Sequence, residues 1–170
     1  MKLLIASDIH GSAKWCRALV ARIEEERPDK IVLLGDLFYH GPRNPLPDEY
    51  DPASVASMLN EYASSIVAVR GNCDSEVDQM MLAFPCLGDY ALIVDELGRT
   101  LFATHGHVYG PDAVPPLPKG AFVLSGHTHI KTNDERDGIH WVNPGSISLP
   151  KDGSRSFALC ERGIVTLCDL

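Results

Sequence analysis

The sequence predicts an α/β fold in which two β-sheets pack face to face with helices outside. Three observations carry that expectation. The first half holds short, uninterrupted apolar runs, typical of strands buried on both faces, and an amphipathic stretch long enough for a helical crossover separates the first two. The second half is richer in strand-like segments and turns than in helical periodicity. The three apolar runs of the first half each stop at a polar loop, the place where α/β sheets bind ligands.

Taken in order, residues 3–6 are apolar throughout and read as a buried strand that stops at Ser7, Asp8, Ile9, His10 and Gly11. Ser12 is a suitable N-cap for a helix through about residue 26; Trp15, Ala18, Leu19, Val20, Ala21 and Ile23 give it an apolar stripe, and Pro28 stops it. Residues 30–34 form a second buried strand closing on Gly35 and Asp36, parallel to the first through a right-handed crossover. Residues 40–48 contain three prolines and no periodicity, which makes them a loop, and residues 52–62 follow as a helix. Residues 66–69 make a third strand that ends in Arg70, Gly71, Asn72, Cys73 and Asp74, followed by a short helix from residue 75 to about residue 82.

The texture then changes. Residues 90–94 and 100–103 read as a β-hairpin whose second arm runs into Thr104, His105, Gly106 and His107. A proline-rich loop over 111–118 leads to a strand at 121–124, a strand near 139–142, a turn at 143–146, and strands around 156–160 and 164–168. No internal repeat or linker interrupts the chain, so residues 1–170 are expected to form one domain.

Composition narrows the function. A hydrophobic content of 45% supplies a full core for 170 residues without disulfides. A net charge of -8 argues against a general nucleic-acid surface, and no sequence-specific nucleic-acid partner is expected, although a metal can still attract a phosphate locally. Cys16, Cys73, Cys86, Cys160 and Cys168 are odd in number and irregularly spaced, which favours reduced thiols in a cytoplasm over a disulfide framework. The apolar N-terminal run is too short for a signal peptide and no run approaches a membrane span, so a soluble, cytoplasmic protein without a membrane partner is expected.

The chemistry concentrates at the strand ends. A lone histidine is usually structural, but His127 and His129, one residue apart and just after an apolar run, read as half of a metal site. The other polar strand ends contribute Asp8, His10, Asp36, Asn72 and His105. All seven are oxygen or imidazole donors, enough for two divalent ions if one carboxylate bridges. The mixture suits manganese, iron or zinc better than calcium or a closed thiolate zinc site.

In order, Asp8-x-His10, Gly35-Asp36, Gly71-Asn72, His105 and Gly126-His127-Thr128-His129 resemble the signature of the calcineurin-like metallophosphoesterases. The stretches 40–47, 71–78 and 143–146 look most like the small bacterial phosphodiesterases of that family. The resemblance implies a four-layer α-β-β-α sandwich of two mixed sheets flanked by helices. It also implies that Asp8, His10 and His129 hold one ion, that Asn72, His105 and His127 hold the other, and that Asp36 bridges them. The implied cofactors are two divalent ions, Mn2+ first, with Zn2+, Fe2+ and Mg2+ as alternatives. The implied reaction is hydrolysis of small phosphodiesters by in-line attack of a hydroxide between two ions about 3.5–4 Å apart.

At Cys73 the chain departs from most of the family, which carries histidine there to protonate the leaving oxygen. With an unperturbed pKa of about 8.5 the thiol stays mostly protonated at neutral pH, so Cys73 either donates that proton or packs beneath the metals. In the loop after Asp36, His40 and Arg43 are candidates for substrate binding, because a guanidinium can pair with phosphate in a bidentate way; solvated loop residues are the alternative. His107 reads as structural or substrate-facing, His140 as packing, and the Pro144-Gly145 centre accounts for the turn that carries Asn143 and Ser146. The rival function is a non-catalytic scaffold of the same fold, which would be expected to have lost ligands that are all present here. A homo-oligomer is compatible with either.

Overall fold

A computed structural model of the chain describes all 170 residues. Its strands are β1 (Lys2–Ala6), β2 (Lys30–Leu33), β3 (Ile66–Ala68), β4 (Tyr90–Val94), β5 (Thr100–Thr104), β6 (Phe122–Leu124), β7 (Thr132–Arg136), β8 (Ile139–Asn143), β9 (Ser156–Glu161) and β10 (Ile164–Asp169). The helices are α1 (Ala13–Glu26), α2 (Pro52–Asn60) and the single-turn α3 (Glu76–Gln79). The first sheet runs β10-β9-β1-β2-β3 and the second β4-β5-β6-β8-β7. Each is mixed: β1, β2 and β3 are parallel, as are β5, β6 and β8, while β9, β10, β4 and β7 pair antiparallel with their neighbours.

Alternation along the strands makes two cores. Leu4 and Ala6 of β1 and Ile31 and Leu33 of β2 face Cys16, Leu19 and Ile23 of α1 and Val55 and Leu59 of α2. The intervening Leu3, Ile5 and Val32 point the other way, against Leu101, Ala103, Phe122, Leu124 and Val142 of the second sheet. Burial on both faces is why these runs are uninterrupted in the sequence. The two longer helices lie on the outer face of the first sheet. On the outer face of the second, Tyr109 of the proline-rich loop packs edge-on to Phe102 and Tyr90, with ring centroids 5.6 and 5.8 Å apart. No helix is long and apolar enough to cross a membrane.

Element ends follow local chemistry. The Ser12 hydroxyl accepts the Trp15 N–H to open α1, and Arg27 closes it in a left-handed conformation before Pro28. The helix expected over 75–82 shortens to one turn, opened by reciprocal capping between Ser75 and Asp78. One strand is unforeseen. β7 reads Thr-Asn-Asp-Glu-Arg and is polar and exposed, so it carries no apolar alternation, yet Arg136 pairs with Ile139 across a two-residue turn. Asp137 and Gly138 both have positive φ there, and Asp-Gly is the pair such a turn favours.

Candidate active site

The ends of the parallel strands bring the polar loops together under unusual backbone geometry. Nine non-glycine residues have positive φ, and five of them are Asp8 (59°), His10 (49°), Asp36 (55°), His127 (67°) and His129 (61°). Such conformations cost about 1 kcal/mol or more each and persist where surrounding structure enforces them. Here Asp8 N–H donates to Gly35 O at 3.1 Å and His10 N–H to Asp36 O at 2.9 Å, which locks the first two loops together. Two glycines permit the close approach of the rest. A Cβ on Gly71 would lie 2.1 Å from Asp36 Oδ1, and one on Gly126 would lie 1.9 Å from Ser7 Oγ.

Three imidazoles are oriented by the backbone. Nδ1 of His10 meets Tyr39 O at 2.7 Å, Nδ1 of His105 meets Leu34 O at 2.6 Å, and Nδ1 of His129 meets Leu149 O at 2.6 Å. A carbonyl only accepts, so each Nδ1 carries the proton and the Nε2 lone pair of the neutral ring is left to point inward. Nε2 of His129 lies 3.3 Å from Nε2 of His10 and 3.2 Å from Asp8 Oδ1. Asp36 Oδ2 lies 3.7 Å from Nε2 of His10 and 3.5 Å from Nε2 of His105, whose Nε2 also faces Asn72 Oδ1 at 3.1 Å.

This donor set fits cations. Asp8 Oδ1 is buried without a hydrogen-bond donor, and two ring nitrogens face each other beside it. Asp8, His10 and His129 form one cluster able to hold a metal, and Asp8, Asp36 and His105 form another. The electrostatics agree. Burial opposes ionisation of Asp8, but His10 and His129 outweigh it and hold the carboxyl well below the usual range. Asp36 is lowered in the same way, with His105 outweighing burial. Burial also opposes charge on His105, yet Asp36 and Asp8 raise it to about 9, so the carboxylates draw positive charge, proton or metal, onto the same lone pair.

Polar clamps hold the loops. The Asp74 carboxylate accepts N–H bonds from Asp36 (2.8 Å), Leu37 (2.8 Å) and Gly71 (2.7 Å), joining the loops after β2 and β3. Asn143 Nδ2 donates to Gly126 O at 2.8 Å and Thr128 Oγ1 at 3.0 Å, while Ser146 Oγ donates to Asp8 O at 2.9 Å. Sequence reasoning assigned no role to Asp74, for which a carboxylate two residues after Asn72 was the only signal. It accounted for the 143–146 turn by its Pro-Gly centre, and the resemblance put that turn near the site without a role for Asn143 or Ser146.

Beside the cluster lies a cleft of about 390 Å³, whose lining includes Asp36, Arg43, Asn72, Cys73, His127 and His129. Lys151 also lines it, a residue with no motif to announce it. His40 stands outside the cleft lining. Its ring packs edge-on between Tyr39 and Tyr50 at 4.9 and 5.6 Å and its Nδ1 meets Asn44 O at 3.2 Å, so it shapes the loop that presents Arg43. The half-buried Cys73 thiol is pushed up to about 12, by burial first and then by Asp36, and therefore keeps its proton at neutral pH. His107 packs against His105 with centroids 5.3 Å apart, and His140 stacks on Phe122 at 4.5 Å.

Two mixed sheets whose parallel strands converge on a buried carboxylate and imidazole cluster define the metallophosphoesterase class. The chain belongs to the calcineurin-like phosphoesterase superfamily, whose domain profile matches residues 1–162, and it is a hydrolase for which the family implies divalent metal ions. It is similar to Phosphodiesterase YfcE of Escherichia coli strain K12, with 43% identity over 171 aligned positions covering all of this chain and 92% of the relative. Probable metallophosphoesterase YsnB of Bacillus subtilis strain 168 is 30% identical over 160 positions, covering 89% of this chain and 78% of its own length. The solved structure of E. coli YfcE, described as a phosphoesterase, superposes with a TM-score of 0.95 at 42% identity, covering 98% of this chain and 91% of that one. An archaeal phosphodiesterase shares the fold, with a TM-score of 0.72 at 20% identity over the whole of both chains.

Proposed function

We propose that the cleft holds two divalent ions and hydrolyses small phosphodiesters. The convergence of three backbone-oriented Nε2 atoms on Asp8 and Asp36 carries the proposal. Asp8, His10 and His129 would hold one ion and Asn72, His105 and His127 the other; Asp36 Oδ2, within 3.7 Å of His10 and 3.5 Å of His105, suits the bridge. Manganese is the first choice for this oxygen and imidazole set, with zinc, iron and magnesium behind it. Bound there, the ions supply charge neutralisation for the phosphate and a lowered pKa for the attacking water.

The chain's own groups do the rest. The Nδ1–carbonyl bonds keep the rings aimed inward, which removes the cost of ordering them on binding. Arg43 and Lys151 face the cleft and bind and orient the phosphate. Burial and Asp36 keep the Cys73 thiol protonated before ions bind, and its place in the cleft lining puts that proton where the leaving oxygen would need it. Because Lys151 adds a second cation, charge alone does not separate diesters from monoesters; the diester preference is supported by similarity to a named phosphodiesterase. A cytoplasmic setting without a nucleic-acid partner accords with the net charge of -8. The test strips the protein with chelator, adds back each of the four metals, and assays a panel of monoesters and diesters. Manganese is expected to restore diester hydrolysis and Asp36→Asn to abolish it, and failure of every metal on every diester would overturn the proposal.

A further inference from the structure

Next to the metal-binding cleft lies a second, smaller pocket of about 130 Å³, and His127 borders both. Its position follows from strand alternation. Phe122 and Leu124 of β6 and Val142 of β8 point into the core between the sheets, so Val123 and Trp141 face outward, and Tyr109 of the overlying loop completes the wall. Tyr109 is itself held against Phe102 and Tyr90 by edge-on packing, so this wall exists before any ligand arrives. Thr132 of the edge strand β7 also lines the pocket, and Val123, Trp141, Tyr109 and Thr132 have no part in the proposed metal chemistry.

We infer that this pocket is the seat of an uncharged, single-ring substituent on the phosphodiester, which makes Trp141, Tyr109 and Thr132 determinants of specificity. The inference rests on the phosphodiesterase reading above. Three properties point to such a group. The volume is on the scale of the roughly 150 Å³ apolar cavity that admits one benzene. Aromatic walls and an aliphatic floor complement a planar apolar face. Arg136 is the one Lys, Arg, Asp or Glu in the lining, and its side chain is largely exposed and pairs with Asp134 at 3.1 Å, so no charge is buried in the pocket for an ionic substituent to meet. Because His127 lines both spaces, a phosphate bound against it in the cleft would have an ester group within reach of the pocket.

The test compares binding of phenylphosphonate and methylphosphonate to manganese-loaded protein by calorimetry, which needs no turnover. Phenylphosphonate is expected to bind about tenfold more tightly, the gain for burying most of one ring. Trp141→Ala, which removes a wall, and Thr132→Phe, which fills the space from an edge strand that tolerates an aromatic, should each bring the two affinities to within about twofold. Equal affinities in the parent protein, or a ring preference that survives both substitutions, would overturn the inference. Diester hydrolysis without ring preference removes the ring pocket alone. Ring preference in a protein that hydrolyses no diester with any metal removes the phosphodiesterase reading, and with it the assignment of the ring to a substrate.

Discussion

Among single residues, Cys73 carries the proposed role that a substitution tests most sharply. Before ions bind, burial and Asp36 hold this thiol near 12, so it keeps its proton in the neutral range but yields it reluctantly. Its contribution should therefore emerge only where the leaving oxygen needs help. Cys73→Ala is expected to slow hydrolysis of alkyl diesters by about a hundredfold, the low end for general acids, while leaving p-nitrophenyl esters nearly unaffected. Equal rates of parent and variant on alkyl diesters would remove Cys73 from that role. The metal-binding candidates themselves were legible because they fall in dense, chemically coherent motifs at strand ends. Lys151 was not, since a lysine in a polar turn looks like any solvated lysine until the fold carries it to the cleft.

At the scale of elements, the site depends on loops that are tied to each other more than to their own strands. Asn143 shows how. It sits at the end of β8, yet it donates to Gly126 and Thr128 on the loop after β6 and accepts the Gly145 N–H at 2.9 Å. Replacing it with alanine leaves the buried Gly145 N–H without its partner and unties Thr128 Oγ1, at a cost of about 1–3 kcal/mol. For a chain of this size Asn143→Ala should lower Tm by about 5 °C and weaken metal binding roughly tenfold, because His127 and His129 leave the same loop. Scanning calorimetry and a metal titration of the variant check both, and an unchanged Tm would show that the loop is held by other means. The buried strands and α1 were legible from apolar runs and capping. β7 was not, because a polar, exposed edge strand is defined by its partner, and only its Asp137-Gly138 turn left a trace in the sequence.

For the whole molecule, the arrangement explains why so small a chain can hold so polar a centre. Apolar layers on both faces of the first sheet bury residues 3–6 of β1 and 31–33 of β2, and the carboxylates and imidazole of the loops that follow them emerge at one edge, opposite the matching edge of β5, β6 and β8. Facing ring nitrogens and an unpaired Asp8 oxygen then call for positive charge between them, which the proposed ions would supply. That two ions sit there is the central claim. It is tested most directly by titrating manganese into chelator-stripped protein and reading bound metal per chain and hydrolysis of bis(p-nitrophenyl) phosphate on the same samples. The predicted result is two ions per chain, with the rate reaching its maximum only as the second site fills; full activity with a single ion bound would contradict it.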